Sequence, residues 1–322
     1  MRRTRNSVGH TLVEVAVAVT ILTALLLVFG ELVSVTAQAH GMVVTRDATT
    51  RTTQRLLREL HGAAFSTLRV LGDDAEGNSL FACLELNGMT PVAHTRLPVF
   101  SPDGGLGADP SGVDLTGNAL LLVTEDRPLD VAVGGTTYRV DVVRFCAFYL
   151  TARTERVTLA IDHKLDLARF TSVRYADVRS LNVIASSTDR ATVGLALRDA
   201  GITRAWVPEE AAATAFHDID GTGALEASPV SSPVIEAALD EPLRALLLGE
   251  RVTVLENDTS RRVPLLAHAD GAFPCGFEAK VVGPWRPRRM LVRLVLAAGS
   301  PSSPVGLDVV TDVSKILTIG AR

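Results

Sequence analysis

The sequence predicts an α+β fold in which one long N-terminal hydrophobic helix packs on a large antiparallel β-rich head. Three observations predict it. An uncharged apolar run extends from Val15 to Phe29, and no proline interrupts the chain between Glu31 and Ala64. Beyond about residue 119, short stretches rich in β-branched and aromatic residues alternate with Gly, Asp or Pro, the composition of strands and turns. Helix first and strands afterwards, with no regular alternation of the two, indicates an α+β class.

The first element is the apolar helix. Counting from His10 through the apolar run and its flanks gives about 20 residues, enough at ~1.5 Å each to span a ~30 Å hydrocarbon core. Arg2, Arg3 and Arg5 precede the run and no comparable cluster directly follows it, so the positive-inside bias keeps the amino terminus in the cytoplasm and the bulk of the chain outside. Glu14 is the one charge within the segment. An acidic residue costs roughly 2.5–3.5 kcal/mol at the centre of a membrane helix and less near its end, so it calls for a partner or a function. Past the membrane, Leu56, Leu57, Leu60, Ala63 and Ala64 fall on one face, so the helix is expected to continue to about Ala63 with an amphipathic outer half. Gly30, Gly41 and the threonine run from Thr45 to Thr53 are its weak points, because Gly costs about 1 kcal/mol relative to Ala in a helix and β-branched residues are intrinsically poor there.

The head is read from residue 65 to 322. A turn-rich loop at residues 101–118 comes first. Strands are expected at Ala119–Thr124, Thr137–Val143, Phe145–Leu150, Val157–Ile161, Val178–Ile184 and Thr192–Leu197, and later at Arg251–Leu255, Glu278–Val282, Leu291–Leu296, Gly306–Val310 and Lys315–Ile319. Residues 234–248 are expected to form a short helix broken near Pro242. The chain is 47% hydrophobic with a net charge of −4, which describes a mildly acidic head on an apolar stalk. It carries no strong basic field of the kind that draws nucleic acid, although 29 of its 32 basic residues are Arg.

The N-terminal residues resemble those of type IV prepilins. The basic leader of Arg2, Arg3 and Arg5 is closed by Gly9, and Thr11-Leu12-Val13-Glu14-Val15 stands where that family has a Thr-Leu-Ile-Glu-Val type sequence. The resemblance implies a leader peptide at residues 1–9, a transmembrane and filament helix at 10–64 and a periplasmic or extracellular head at 65–322. It also implies cleavage by prepilin peptidase between Gly9 and His10 and methylation of the new amino terminus; His10 stands where the family usually has Phe. In the family the carboxylate at the place of Glu14 is thought to meet the new amine of a neighbouring subunit. The implied partners are other pilin or pseudopilin subunits, the peptidase, an inner-membrane assembly platform, and the membrane itself through residues 10–31. The implied location is the inner membrane, in a single pass, and then the pilus or pseudopilus. The head, with Leu56-Leu57-Arg58-Glu59-Leu60 before it and Asn118-Ala119-Leu120-Leu121-Leu122-Val123 ahead of Phe148-Tyr149-Leu150, looks like the large minor pilins and the J-type pseudopilin of type II secretion.

Two other readings of the N-terminus stay open. Ala37-Gln38-Ala39 has the small-x-small form of a signal-peptidase site, and Glu14 could lie near enough to the interface to snorkel in a plain anchor.

Within the head, Asp218-Ile219-Asp220-Gly221-Thr222-Gly223-Ala224-Leu225 matches the first eight places of a Ca²⁺ loop, with Asp218, Asp220 and Thr222 as oxygen ligands. The place of the bidentate Glu is held by Pro229, which leaves Glu226 as a substitute or the loop as a plain acidic turn. Three cysteines in an oxidising compartment suggest one disulfide. Spacing leaves three pairings open, and the apolar surroundings of Cys146 make Cys83–Cys275 the expected one. No Gly-x-Ser-x-Gly, His-Glu-x-x-His or Gly-Lys-Ser/Thr motif occurs, so no catalytic residues are expected and the chain reads as a non-enzyme. A binding or adhesion module at a filament tip is the alternative function, and a secreted or anchored enzyme the third.

Overall fold

The structure, a computed structural model, describes residues 12–86, 88–92, 95–102, 116–152, 164–238, 252–255, 277–284, 288–299 and 308–319. Helix α1 runs without a break from Leu12 to Phe65, 54 residues or about 80 Å. It passes through both Gly30 and Gly41. In the threonine-rich stretch the hydroxyls of Thr45, Thr49, Thr50 and Thr53 each donate to the carbonyl oxygen four residues back, at 2.8–2.9 Å, and the stretch stays helical where it packs on the head. Thr49, Thr52 and Thr53 are also buried, as are Leu56, Leu60 and Ala64, a stripe of three- and four-residue steps along one face. The helix closes at Thr67, whose Oγ1 donates to the Ala63 carbonyl at 2.6 Å.

After α1 come β1 (Thr67–Leu71), α2 (Ala75–Ala82), β2 (Thr116–Gly117), β3 (Ala119–Glu125), β4 (Leu129–Val133), β5 (Thr136–Val140), β6 (Val142–Ala152), β7 (Lys164–Thr171) and β8 (Tyr175–Asp177). They are followed by α3 (Val178–Asn182), α4 (Ser187–Asp199), β9 (Arg204–Trp206), α5 (Ala212–Ala215), β10 (Phe216–Asp218), β11 (Val252–Leu255), β12 (Phe277–Val282), β13 (Arg288–Gly299) and β14 (Asp308–Ile319). This is an α+β architecture in which every strand pair is antiparallel except β8 with β9.

One ladder organises the head. Strand β3 pairs with β6, β6 with β7, β7 with β11, β11 with β13, β13 with β12, and β12 with β2. Since only Asn118 separates β2 from β3, the hydrogen-bonded path returns to the stretch of chain where it began. The break at Asn118 is itself satisfied: its side-chain oxygen accepts from the Arg96 N–H at 2.8 Å, and its own N–H donates to the Arg96 carbonyl.

The central strands are apolar on both faces because both faces are covered. On one, Leu120, Leu122, Cys146, Phe148, Leu150 and Leu167 join Phe277, Ala279, Val281, Met290, Val292 and Leu294 around Leu56, Leu60 and Ala64 of α1. On the other, Ala119, Leu121, Val123, Phe145, Ala147 and Tyr149 pack with Leu71, Leu80, Tyr175, Trp206 and Phe216. The period-2 alternation of β3 and β6 divides the two cores between them. Trp206 and Tyr175 both meet Phe145 edge-on, with ring centroids 5.5 Å apart. A smaller third cluster holds α4 through Val193 and Leu197 beside the β4–β5 hairpin, whose Tyr138 hydroxyl donates to Asp189 at 2.7 Å.

Several sequence expectations are corrected here. Val178–Ile184 and Thr192–Leu197 are not strands: the first is α3 with its flank and the second lies inside α4. Side-chain caps override the β-branched composition, Asp177 accepting from the Arg179 N–H at 2.9 Å and Ser186 from the Asp189 N–H at 3.2 Å. Thr137–Val143 is split at Asp141 between β5 and β6, and the described part of the expected Gly306–Val310 strand, from Asp308, runs on into Lys315–Ile319 as the single strand β14. Residues 234–238 are extended, not helical, with Ile235 bridging Leu84 and Ala237 bridging Ser172; the remainder of the expected helix, the expected strand at Val157–Ile161 and most of the 101–118 loop lie outside the described residues. The β4–β5 hairpin went unread, although Gly134-Gly135 at positive φ of 55° and 87° is the two-residue turn that favours such a hairpin.

Charge is also buried. Glu278 and Arg293 sit opposite one another in the β12–β13 ladder, both fully buried, with their side chains 3.4 Å apart, and Lys280 lies two residues along on the same face. Asp126 binds Arg144 at 2.8 Å and Arg174 at 3.1 Å. Burial pushes the Asp126 carboxyl upward, but the Arg144 hydrogen bond, the Arg127 N–H and the two arginine charges together hold it below the ordinary carboxylate range.

Two predictions follow from this packing. Leu60→Ala, at the centre of the helix–sheet contact, should cost about 2–5 kcal/mol in denaturant unfolding of the detergent-solubilised chain, whereas Leu26→Ala on the exposed half should stay within about 0.5 kcal/mol. Because the folded Asp126 has the lower pKa, its contribution is complete above the unfolded value and is lost as pH falls through the folded one. The stability gap between parent and Asp126→Asn, measured by chemical denaturation from pH 7 downward, should therefore narrow below about pH 4.

Candidate membrane segment and candidate loop sites

The N-terminal half of α1 presents its apolar side chains outward. Leu12, Leu27, Val33 and Val43 are 88%, 70%, 66% and 66% exposed, and all the large apolar residues between Leu12 and Phe29 are likewise uncovered. This is the one helix among the described residues long and apolar enough to cross a membrane. Glu14 lies in its first turn, where a carboxylate meets the positive end of the helix dipole. Thr20 and Thr23 return their hydroxyls to the Ala16 and Val19 carbonyls at 2.8 Å, so neither hydroxyl needs water. Ala37, Gln38 and Ala39 are helical and continuous with the turns on either side. Gly9 and His10 lie outside the described residues.

The acidic loop at Asp218–Glu226 forms a tight turn closed by its own groups. Oδ1 of Asp220 accepts from the Thr222 N–H at 2.7 Å, the Thr222 hydroxyl at 2.6 Å and the Ala224 N–H at 3.0 Å. The Thr222 hydroxyl, followed by its N–H, holds the Asp220 carboxyl below its ordinary range. Asp218 accepts from Arg204 Nε at 2.9 Å, and the Glu226 N–H returns to the Asp218 carbonyl. Among the described residues no group of three or more His, Cys, Asp or Glu is arranged to hold a metal ion. Gly223 has a second reason to be glycine besides its φ of 81°: a Cβ there would stand 1.9 Å from the Ala191 carbonyl oxygen, where the loop presses against α4 at Gly194.

Cys83 is a free thiol, half-buried, with burial pushing its pKa up, and Cys146 is buried on the helix side of the sheet. Cys275, the expected partner of Cys83, lies outside the described residues, as does Trp285. His217 is a strand residue whose Nδ1 lies 3.1 Å from the Glu226 carbonyl oxygen. Sequence reasoning passed over the buried charges of β12, although Glu278 and Lys280 alternating with Phe277, Ala279 and Val281 signalled a strand with one polar and one apolar face.

Fold and segment together define an α+β protein whose N-terminal helix is apolar enough to cross a membrane and whose last turns are built into a β-rich head. No family model matches the chain, and no curated protein or solved structure matches it.

Asp220→Ala removes three hydrogen bonds from one turn while leaving the Arg204–Asp218 pair in place. It should loosen the turn without unfolding the head: hydrogen exchange should rise at the Thr222 and Ala224 amides while the β3–β6 ladder stays protected.

Proposed function

We propose that this chain is a filament subunit of the type IV pilin kind, a minor pilin or pseudopilin that inserts through α1 and is trimmed between Gly9 and His10. One observation carries the reading: a single unbroken helix exposes an apolar segment in which Glu14 is the one charge before Glu31, and buries its last turns in the head. The apolar half suits lipid first and the helices of other subunits afterwards. Trimming after Gly9 would place a new amine four residues, or about 6 Å along a helix, from Glu14, close enough for the amine of one subunit to neutralise the carboxylate of the next.

The head supports a low-copy role. More than two hundred residues in it would burden every repeat of a long fibre, whereas one copy at a tip or in an initiating complex would not. The signal-peptidase reading is weakened by the helical state of Ala37-Gln38-Ala39, which would have to unwind before cleavage.

Mass spectrometry of the mature amino terminus tests the proposal directly. A chain starting at His10 is the expected result; one starting at His40 or retaining Met1 would overturn it. Glu14→Ala should reduce incorporation into filaments at least tenfold, by immunoblot of the sheared fraction, with the protease resistance of the head unchanged.

A further inference from the structure

An open cleft of about 730 Å³ lies where the last turns of α1 leave the sheet. Arg58 and Glu59 contribute from the helix, and Asp126, Arg144, Arg169 and Thr171 from the end of the sheet. The apolar face of β6 and β7 gives way here to polar residues at the same alternation: Phe148 and Cys146 lead to Arg144, and Leu167 leads to Arg169 and Thr171. Helix α1 covers the apolar part and leaves the polar part open.

The groups in this cleft include donors that the fold itself does not use. Thr171 is 6% exposed, and its hydroxyl has no hydrogen-bond partner among the described residues. Leaving a buried hydroxyl unsatisfied costs about 1–3 kcal/mol. Arg144 gives its Nε–H to Asp126 at 2.8 Å and Arg58 gives its Nε–H to the Gln54 carbonyl at 3.3 Å. A guanidinium carries five N–H donors, so both retain their Nη groups for a ligand. Arg169 holds Glu59 at 2.8 Å and ties the helix wall to the sheet wall.

Four arginines against three acidic residues line the cleft, so it is one charge positive when all are ionised. That balance suits a singly charged group, whereas a dianion would meet the lining carboxylates in excess. A planar carboxylate fits the fork of a guanidinium through paired hydrogen bonds.

We infer that this cleft binds a monocarboxylate, with Arg58 and Arg144 gripping its oxygens and the Thr171 hydroxyl donating a third hydrogen bond. The carboxylate has two natural sources, a free organic acid or the side chain of a glutamate in a peptide. The site does not depend on the filament role proposed above.

Titration calorimetry on the full chain in detergent at fixed ionic strength separates these sources. The probes are lactate, the blocked peptide Ac-Ala-Glu-Ala-NH2, its Gln counterpart and inorganic phosphate. Saturable binding of lactate and the Glu peptide alike assigns the free acid group as sufficient; binding of the Glu peptide alone assigns a peptide side chain. In either case Arg58→Gln and Thr171→Val should weaken binding at least fivefold. Both variants should fold, since Arg58 is exposed and Thr171→Val deletes only an unpartnered hydroxyl. Arg144→Gln should weaken binding further, and circular dichroism controls for loss of its Asp126 pair. The inference is overturned if the Gln peptide or phosphate binds as tightly as the carboxylates, if no carboxylate binds, or if Arg58→Gln and Thr171→Val bind like the parent.

Discussion

The contact between the last turns of α1 and the sheet is the constraint on which the rest of the structure depends. Leu56, Leu60 and Ala64 pack on one face of a ladder that returns on itself through β2 and β3. Remove the helix and that side of β3, β6, β12 and β13 would open to water, exposing Leu120, Leu122, Phe148 and Val292 together. Because α1 is continuous, the same contact fixes the direction in which the apolar half projects. A head and a membrane segment joined by a flexible linker would have no such fixed relation; here the joint is helix, held by hydrogen bonds along its length.

The opposite face of the sheet explains why the central strands read as unbroken apolar runs. A strand with one wet face alternates, while Leu120 through Val123 and Phe145 through Leu150 are buried whichever way they point. At β12 the rule changes, with Glu278 and Lys280 alternating against Phe277 and Ala279. The Glu278–Arg293 pair brings charge into a fully buried place. Such a pair contributes register more than stability, since a one-residue slip of β12 would bring these charges onto the apolar core.

The acidic loop shows how one pattern can serve two chemistries. Oxygens at alternate positions and a glycine at the sixth place suit a cation, yet the same residues suit a turn whose carboxylate caps its own N–H groups. In this chain Asp220 satisfies three donors of the loop, Asp218 meets Arg204, and the glycine is needed for the approach to Gly194. Arg204 and Gly194, which complete the turn, are remote in sequence from the pattern itself. The carboxylate cleft is a stronger instance. Its arginines lie at 55, 58, 144 and 169, on three elements with no local motif, and only packing of the helix on the sheet brings them to one place.

What the amino-acid order determined alone was whatever depends on neighbours along the chain. The reach of α1 to about residue 64, its apolar half with Glu14, its buried stripe at Leu56, Leu60 and Ala64, and the strands at 119–124, 145–150 and 278–282 all follow from periodicity and composition within short windows. The tertiary structure decided the rest. It made helices of Val178–Asn182 and Ser187–Asp199, where caps at Asp177 and Ser186 and burial of Val193 and Leu197 outweighed β-branched propensity. It held Ile235 and Ala237 extended by bridging them to Leu84 and Ser172. The physical reason is the same in each case: local propensity differs between states by a few tenths to about one kcal/mol per residue, and burial against a distant partner is worth more.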